Sequence, residues 1–198
     1  MDSAAPQSSC GALRFLTLAR SFPFSPDHIT FKNRIARLLW HVVWNALYRF
    51  SPNIIHGWRR FILRCFGAQI SAGAHPYPSA KIWAPWNLTM DEHSCLADEV
   101  DCYCVAPIRI GSYATVSQYS YLCAASHDHR NPAMPLIVAP IVIESRVWVA
   151  ADVFVGPGVK IGEGSVVGAR STVLSDVEPW SIVVGSPAKR IGKRAWVR

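Results

Sequence analysis

The chain has no run of eighteen apolar residues, the length at which an apolar stretch reads as a membrane-spanning helix, so no helical span is expected. No basic segment leads into a long apolar one at the N-terminus, so no secretory signal is expected either, and the reading is of a cytoplasmic, reduced protein. The six cysteines, Cys10, Cys65, Cys95, Cys102, Cys104 and Cys123, contain no C-x2-C pair. Cys102 and Cys104 fall on one side of an extended segment, where cysteine is most often a small buried filler, and neither a metal site nor a disulfide framework is expected. Charged residues are scarce, 17% against 51% hydrophobic, the balance of a folded protein with a large interior. A length of 198 residues suits one principal domain.

Acidic residues are missing from the ends. Residues 1–66 carry nine Arg or Lys against Asp2 and Asp27, residues 67–184 carry six basic and eleven acidic side chains, and the last fourteen residues carry five basic and no acidic ones. The net charge of +7 therefore belongs to two basic ends flanking an acidic body. No zinc-finger spacing or basic strand with interleaved aromatics accompanies them, which argues against nucleic acid as a partner. A phosphorylated cofactor or an anionic membrane surface fits such ends.

Residues 33–50 read as a helix: Ile35, Leu38, Leu39, Val42, Val43, Ala46, Leu47 and Phe50 recur at three- and four-residue spacing on one face, with Arg34, Arg37, His41 and Arg49 for the other, and Pro52 stops it. A second short helix is predicted over 57–65, with Trp58, Phe61, Ile62 and Cys65 on one face and Arg59, Arg60 and Arg64 off it. Two roles suit these helices. They cover the end or flank of the main domain, or they lie on a membrane through Trp40, Trp44, Tyr48 and Trp58 beside the arginines; one element can do both.

From Gly67 the period changes to six. Ile143, Val149, Val155, Ile161, Val167 and Val173 fall every sixth residue, with Gly156, Gly162 and Gly168 directly after three of them. Such a period describes short parallel strands joined by tight corners, three hexads to a turn, each inward aliphatic stacking on its equivalent in the next turn while small residues let the chain bend. Ile70, Ile82 and Leu88, then Ile110, Val116 and Leu122, carry the pattern upstream; between Thr89 and Arg109 the register slips. A β-sandwich would space its turns about twice as far apart, and crossover helices for a βαβ fold are absent after residue 67. The expected organisation is an N-terminal extension with amphipathic helices over 1–66 and an all-β parallel β-helix of hexapeptide repeats over 67–198, ending in a basic tail.

With LLWHVVWNALYRF, GWRRFILRCFGAQI, PSAKIWAPWNLTM, DCYCVAPIRIG, CAASHDHRNPAMPLIVAPIVI and the segment from VWVAADVFVGPG to GSPAKRIGKR in place, the chain resembles the hexapeptide-repeat, left-handed β-helix acyltransferases over residues 31–195, in the branch of the colanic acid biosynthesis acetyltransferases. The resemblance implies a homotrimer with active sites between adjacent subunits, acetyl-CoA as donor, no metal, and a saccharide or lipid-linked saccharide acceptor in exopolysaccharide biosynthesis.

The residues from Ser126 to Pro132 gather ionisable side chains that no apolar hexad accommodates, so they read as a loop held by the repeat scaffold. Acetyl transfer from a thioester to an alcohol needs a base of near-neutral pKa, which histidine provides. By the resemblance His127 is that general base, with no covalent acetyl-enzyme required; Asp128 and His129 are neighbours for orienting it or touching the acceptor. The resemblance further implies the Ala151 N–H as oxyanion donor, Ala150 and Ala151 beside the pantetheine, Gly168 and Ala169 along the cofactor's arm, and Lys189 and Arg190 on its phosphates. It places Trp83, Pro85, Trp86, Asn87, His93 and Trp148 around the acceptor. Better-studied sugar acetyltransferases carry asparagine at the position of Pro85 and aspartate at that of His93. Two other functions stay open: an N-acyltransferase for an amino sugar or small amine, and a non-catalytic trimeric scaffold that meets a membrane through residues 31–66.

Overall fold

The computed structural model describes residues 30–195; Cys10 and the rest of residues 1–29 lie outside the described residues. From Gln69 the chain winds as a parallel β-solenoid with three faces. The first face stacks Gln69–Ile70, Leu88–Met90, Ile108–Ile110, Ile141–Ile143 and Lys160–Ile161. The second stacks His75–Pro76, Cys95–Leu96, Thr115–Val116, Trp148–Val149, Val166–Val167 and Ser181–Val184, and the third stacks Lys81–Ile82, Asp101–Tyr103, Tyr121–Cys123, Phe154–Val155 and Thr172–Val173. All these pairings are parallel. The predicted aliphatics, from Ile143 to Val173, point into the prism and are buried.

The slip has a simple cause. Register pairs Ile70 with Met90 and Met90 with Ile110, so the first turns take twenty residues each, whereas Ile143 pairs with Ile161 across eighteen. The extra residues are taken up at the edge between the third and first faces, where Pro85–Asn87 forms a 3-10 turn. Met90, not Leu88, therefore occupies the hexad position, although both are buried. The larger interruption, between Leu122 and Ile141, is a β-hairpin at the same edge: Ala125–His127 pairs antiparallel with Leu136–Val138.

The corners also turn by a different device from the one expected. From the second turn on, at every corner between the first and second faces and between the second and third, the left-handed residue comes three positions before an inward side chain: His93 before Leu96, Glu99 before Cys102, Tyr113 before Val116, Asp152 before Val155. The glycine after the inward residue answers close approach instead. A Cβ on Gly162 would lie 2.5 Å from the Pro179 nitrogen of the next turn.

Two helices precede the coil, α1 at Phe31–Val43, continued by a π-helical turn Trp44–Tyr48, and α2 at His56–Cys65. Their extents match the sequence pattern; most of the predicted apolar face of α1, and Trp58 and Phe61 of α2, point outward, while Val43 and Ile62 pack on the core. In the ladder each N–H donates to a carbonyl of the following turn, as His75 N to Ser94 O and Lys81 N to Val100 O. The first turn's carbonyls thus have no preceding turn to serve them, and unpaired backbone acceptors at a buried edge are costly. The helices supply the donors: Trp40 Nε1 to Ile82 O at 2.6 Å, Trp44 Nε1 to Ala80 O at 2.9 Å, Arg59 Nε to Pro76 O at 2.7 Å, Arg60 to Ala74 O at 2.9 Å, and Arg64 to Ile70 O at 2.6 Å. Trp40, Trp44, Tyr48 and Arg59 are buried against the coil, so the first three cannot be the residues that meet lipid. The aliphatic face predicted for α1 points out instead, with Leu38, Leu39, Val42, Leu47 and Phe50 exposed, and Trp58 and Phe61 of α2 beside them. No helix among the described residues is long and apolar enough to cross a membrane.

Candidate active site

His127 closes the first strand of the hairpin, opposite Leu136, rather than lying in an irregular loop. The turn that follows folds back so that Asp128 N donates to Pro135 O and Met134 N to Asn131 O. This carries the Met134 carbonyl to 2.7 Å from His127 Nδ1. A carbonyl oxygen only accepts, so Nδ1 must carry the proton and the neutral ring leaves Nε2 with its lone pair free. The orienting partner of His127 is therefore a main-chain oxygen. The Asp128 carboxylate is engaged elsewhere: Oδ1 accepts from the Arg130 N–H at 3.1 Å and from its guanidinium at 3.2 Å, and these bonds hold its pKa below the usual carboxylate range. Sequence pattern could signal the hairpin, through a polar turn between two short extended segments, but not which main-chain oxygen would meet the imidazole.

The residues expected on the donor side, Ala150, Ala151, Gly168 and Ala169, follow one another along the edge between the second and third faces. Val149 pairs with Val167 in register, so Ala150 and Ala151 lie one turn from Gly168 and Ala169. Ala150 is fastened in place, its N–H donating to Val167 O and its carbonyl accepting from Ser120 Oγ at 3.0 Å. The Ala151 N–H meets no acceptor among the described residues. Gly168 has a packing reason of its own, since a Cβ there would stand 2.5 Å from Val184 Cγ1. Lys189 and Arg190 are exposed on Lys189–Lys193, which returns antiparallel along Ser181–Val184 at the C-terminal end of the second face. The edge thus carries small side chains at Ala150, Ala151, Gly168 and Ala169, with the cations of Lys189 and Arg190 near its C-terminal end.

The acceptor-side residues are not brought together within one chain. Trp83 follows the third face in the first turn, half-exposed, its ring 5.0 Å from that of Tyr103. Pro85 is buried, Trp86 packs on the core, and the Asn87 amide spends both N–H groups on Cys104 O at 3.0 Å and Val105 O at 2.8 Å. Asn87 thus ties the first extra corner to the second. His93 lies at the edge between the first and second faces, its ring tilted 33° against that of Tyr113 at 4.8 Å. Trp148 projects from the second face and donates from Nε1 to Ser117 Oγ at 3.1 Å. His129 is exposed in the turn after His127. No group of three or more His, Cys, Asp or Glu among the described residues is placed to hold a metal ion.

The model of the bacterial transferase hexapeptide (six repeats) matches residues 140–175. A protein of Escherichia coli K12 named as the colanic acid biosynthesis acetyltransferase WcaF is 42% identical over 162 residues, covering 82% of this chain and 89% of that protein. The chain belongs to the hexapeptide-repeat acetyltransferases, in the colanic acid branch. Among solved structures, a hexapeptide-repeat-containing acetyltransferase of Vibrio cholerae O1 biovar eltor, complexed with acetyl coenzyme A, superposes with a TM-score of 0.75 at 27% identity, over 84% of this chain and 91% of that one. A maltose O-acetyltransferase of Clostridium difficile 630 shares the fold, with a TM-score of 0.73 at 22% identity over 82% of this chain and 88% of that one.

Proposed function

We propose that the chain moves acetyl from acetyl-CoA to a hydroxyl of a saccharide, with His127 as general base, in exopolysaccharide biosynthesis. The observation that carries this reading is the 2.7 Å contact of His127 Nδ1 with the Met134 carbonyl, which leaves Nε2 as the acceptor. A fixed imidazole with one free lone pair has the form a general base requires. Acetyl-CoA supplies the thioester carbonyl that the hydroxyl oxygen attacks. His127 Nε2 takes the hydroxyl proton as that bond forms and returns it to the departing sulfur, so the ring begins and ends neutral. The Met134 carbonyl keeps the ring from rotating between the two transfers and stabilises the imidazolium in between. Ala151 offers its N–H to the developing oxyanion, Ala150, Gly168 and Ala169 leave room for the pantetheine, and Lys189 and Arg190 face the phosphates.

The donor edge and the His127 hairpin belong to different edges of one prism, so a site that joins them takes each half from a different subunit. A homotrimer with its sites in the clefts between subunits meets that need. The exposed aliphatic face of α1, flanked by arginines, fits the surface of an anionic membrane, which would hold the enzyme at the inner leaflet of the cell.

Transfer measured with labelled acetyl-CoA tests the chemistry. His127→Ala should lower kcat by at least about 100-fold, the usual worth of a general base, while CoA still binds. Undiminished turnover in that variant would place the chemistry elsewhere. Products formed on amino sugars alone would assign the N-acyltransferase reaction instead, and no transfer to any acceptor would leave the scaffold.

A further inference from the structure

Ser120 stands where the turns on either side of it place an aliphatic side chain. It comes one residue before Tyr121, which register sets level with Asp101 and Phe154, so Val100 and Val153 hold the same place in the turns before and after. All three are buried, but Ser120 carries a hydroxyl into the apolar interior. A buried hydroxyl is tolerated when it is bonded. Both bonds of Ser120 go to one corner of the next turn: Oγ donates to Ala150 O at 3.0 Å and accepts the Val153 N–H at 3.3 Å.

Ala150 O and the Ala151 N–H belong to one peptide group. That peptide is trans and planar, so its carbonyl and its N–H point in opposite directions. A carbonyl drawn inward by a buried hydroxyl therefore turns the N–H outward, onto the edge between the second and third faces. The neighbouring main-chain groups are all bonded: Ala150 N to Val167 O at 2.9 Å, Arg170 N to Ala151 O at 3.0 Å, and Asp152 N to Gln118 O at 3.0 Å. Between Ala150 N and Asp152 N, the Ala151 N–H alone has no partner among the described residues. The matching carbonyls in the turns before and after, Ser117 O and Gly168 O, face Val100 and Val153, which have no hydroxyl to give. Of these three successive turns, only the one that carries Ala151 has the clamp.

We propose that Ser120 is a positioning residue for the acetyl transfer: from inside the coil it fixes the peptide whose N–H meets the developing oxyanion. This rests on the assignment of the Ala151 N–H as oxyanion donor. A donor aimed before the reaction needs no reorganisation as charge develops, and a corner peptide free to rock loses that advantage. Ser120 has no exposed surface, so it acts through the main chain alone.

Ser120→Thr and Ser120→Val test this, because they share a branched shape that Val100 and Val153 show to fit at this corner and differ in the hydroxyl. With labelled acetyl-CoA, the Ser120→Thr variant should keep kcat within about threefold of wild type while Ser120→Val loses at least about tenfold, part of the roughly 100-fold or more that a missing oxyanion donor costs. CoA affinity by calorimetry should be equal in the two, since the oxyanion exists only after attack. Should Ser120→Val not fold, Ser120→Ala takes its place with the same expectation, alanine being the residue at this corner in the first turn, Ala80. Ser165 supplies the control. Its Oγ braces a corner between the first and second faces, donating to Glu178 O at 2.8 Å and accepting the Ser181 N–H at 3.2 Å. Ser165→Ala should lower the melting temperature but leave kcat within about twofold of wild type, because the corner it braces meets no reacting atom. Equal kcat in Ser120→Thr and Ser120→Val, or a tenfold loss in Ser165→Ala, would show that the Ser120 hydroxyl only braces the coil. In a crystal structure with acetyl-CoA bound, the thioester oxygen should lie within about 3.5 Å of Ala151 N, closing to about 3 Å as the oxyanion forms. An oxygen far from Ala151 N removes the oxyanion assignment and the role of Ser120 with it. Equal kcat with the oxygen in place removes the role of Ser120 alone.

Discussion

Arg59 has no exposed surface and donates to Pro76 O, Ser51 Oγ, Pro52 O and Asn53 O, at 2.7, 2.8, 2.8 and 2.6 Å. A buried guanidinium without a carboxylate is tolerated only when its N–H groups are all answered, and here main-chain carbonyls answer most of them. Replacement by leucine keeps the bulk but strands several carbonyls at about 1 to 3 kcal/mol each. Arg59→Leu should therefore cost about 3 kcal/mol or more, read from the urea midpoint, whereas Phe61→Ala, two residues on and facing outward, should change stability by less than about 0.5 kcal/mol. The reverse order would mean that α2 docks through its aromatic side after all. Arg59 also marks what residue type alone does not convey: an arginine reads as solvent-facing until the carbonyls of an uncovered strand edge are known to lie beneath it. The Met134 oxygen that orients His127 was hidden for the same reason, because a backbone carbonyl has no letter of its own in the sequence. The polar segment that carries His127 was legible as a candidate site, from its ionisable residues and from the family motif around it.

Periodicity set the lengths of α1 and α2 well, since Pro52 and the spacing of the apolar residues act locally. It did not set which face packs. An amphipathic helix buries its apolar stripe only when nothing else at the interface demands donors; the first turn of the coil demands five, and the Trp40, Trp44, Arg59, Arg60 and Arg64 donors meet that demand. The aliphatic stripe is left outside, so it can be altered without disturbing the cap. Leu38→Asp combined with Leu39→Asp should leave the melting temperature within a few degrees of wild type and abolish co-sedimentation with vesicles of phosphatidylglycerol and phosphatidylethanolamine. A large fall in melting temperature with unchanged sedimentation would show that the stripe packs against protein.

Across the whole molecule, the hexads were readable where the turn is eighteen residues long and misread where it is twenty. Two added residues move every later aliphatic off the six-residue grid, which is how Leu88 took the place of Met90. The hairpin at Ala125–His127 is a third departure at the same edge, and the three together build the side of the prism that carries His127. The donor edge, by contrast, is regular, with short corners and small side chains. A coil that is plain on one edge and elaborated on another suits a site assembled between copies, in which the plain edge of one subunit receives the donor and the elaborated edge of its neighbour presents the base. The most direct test is a crystal structure of the protein with CoA bound. The account predicts a trimer in which the CoA sulfur lies within about 4 Å of His127 Nε2 across a subunit boundary, as reacting groups held for attack require. A CoA sulfur remote from every His127 in the assembly would contradict it.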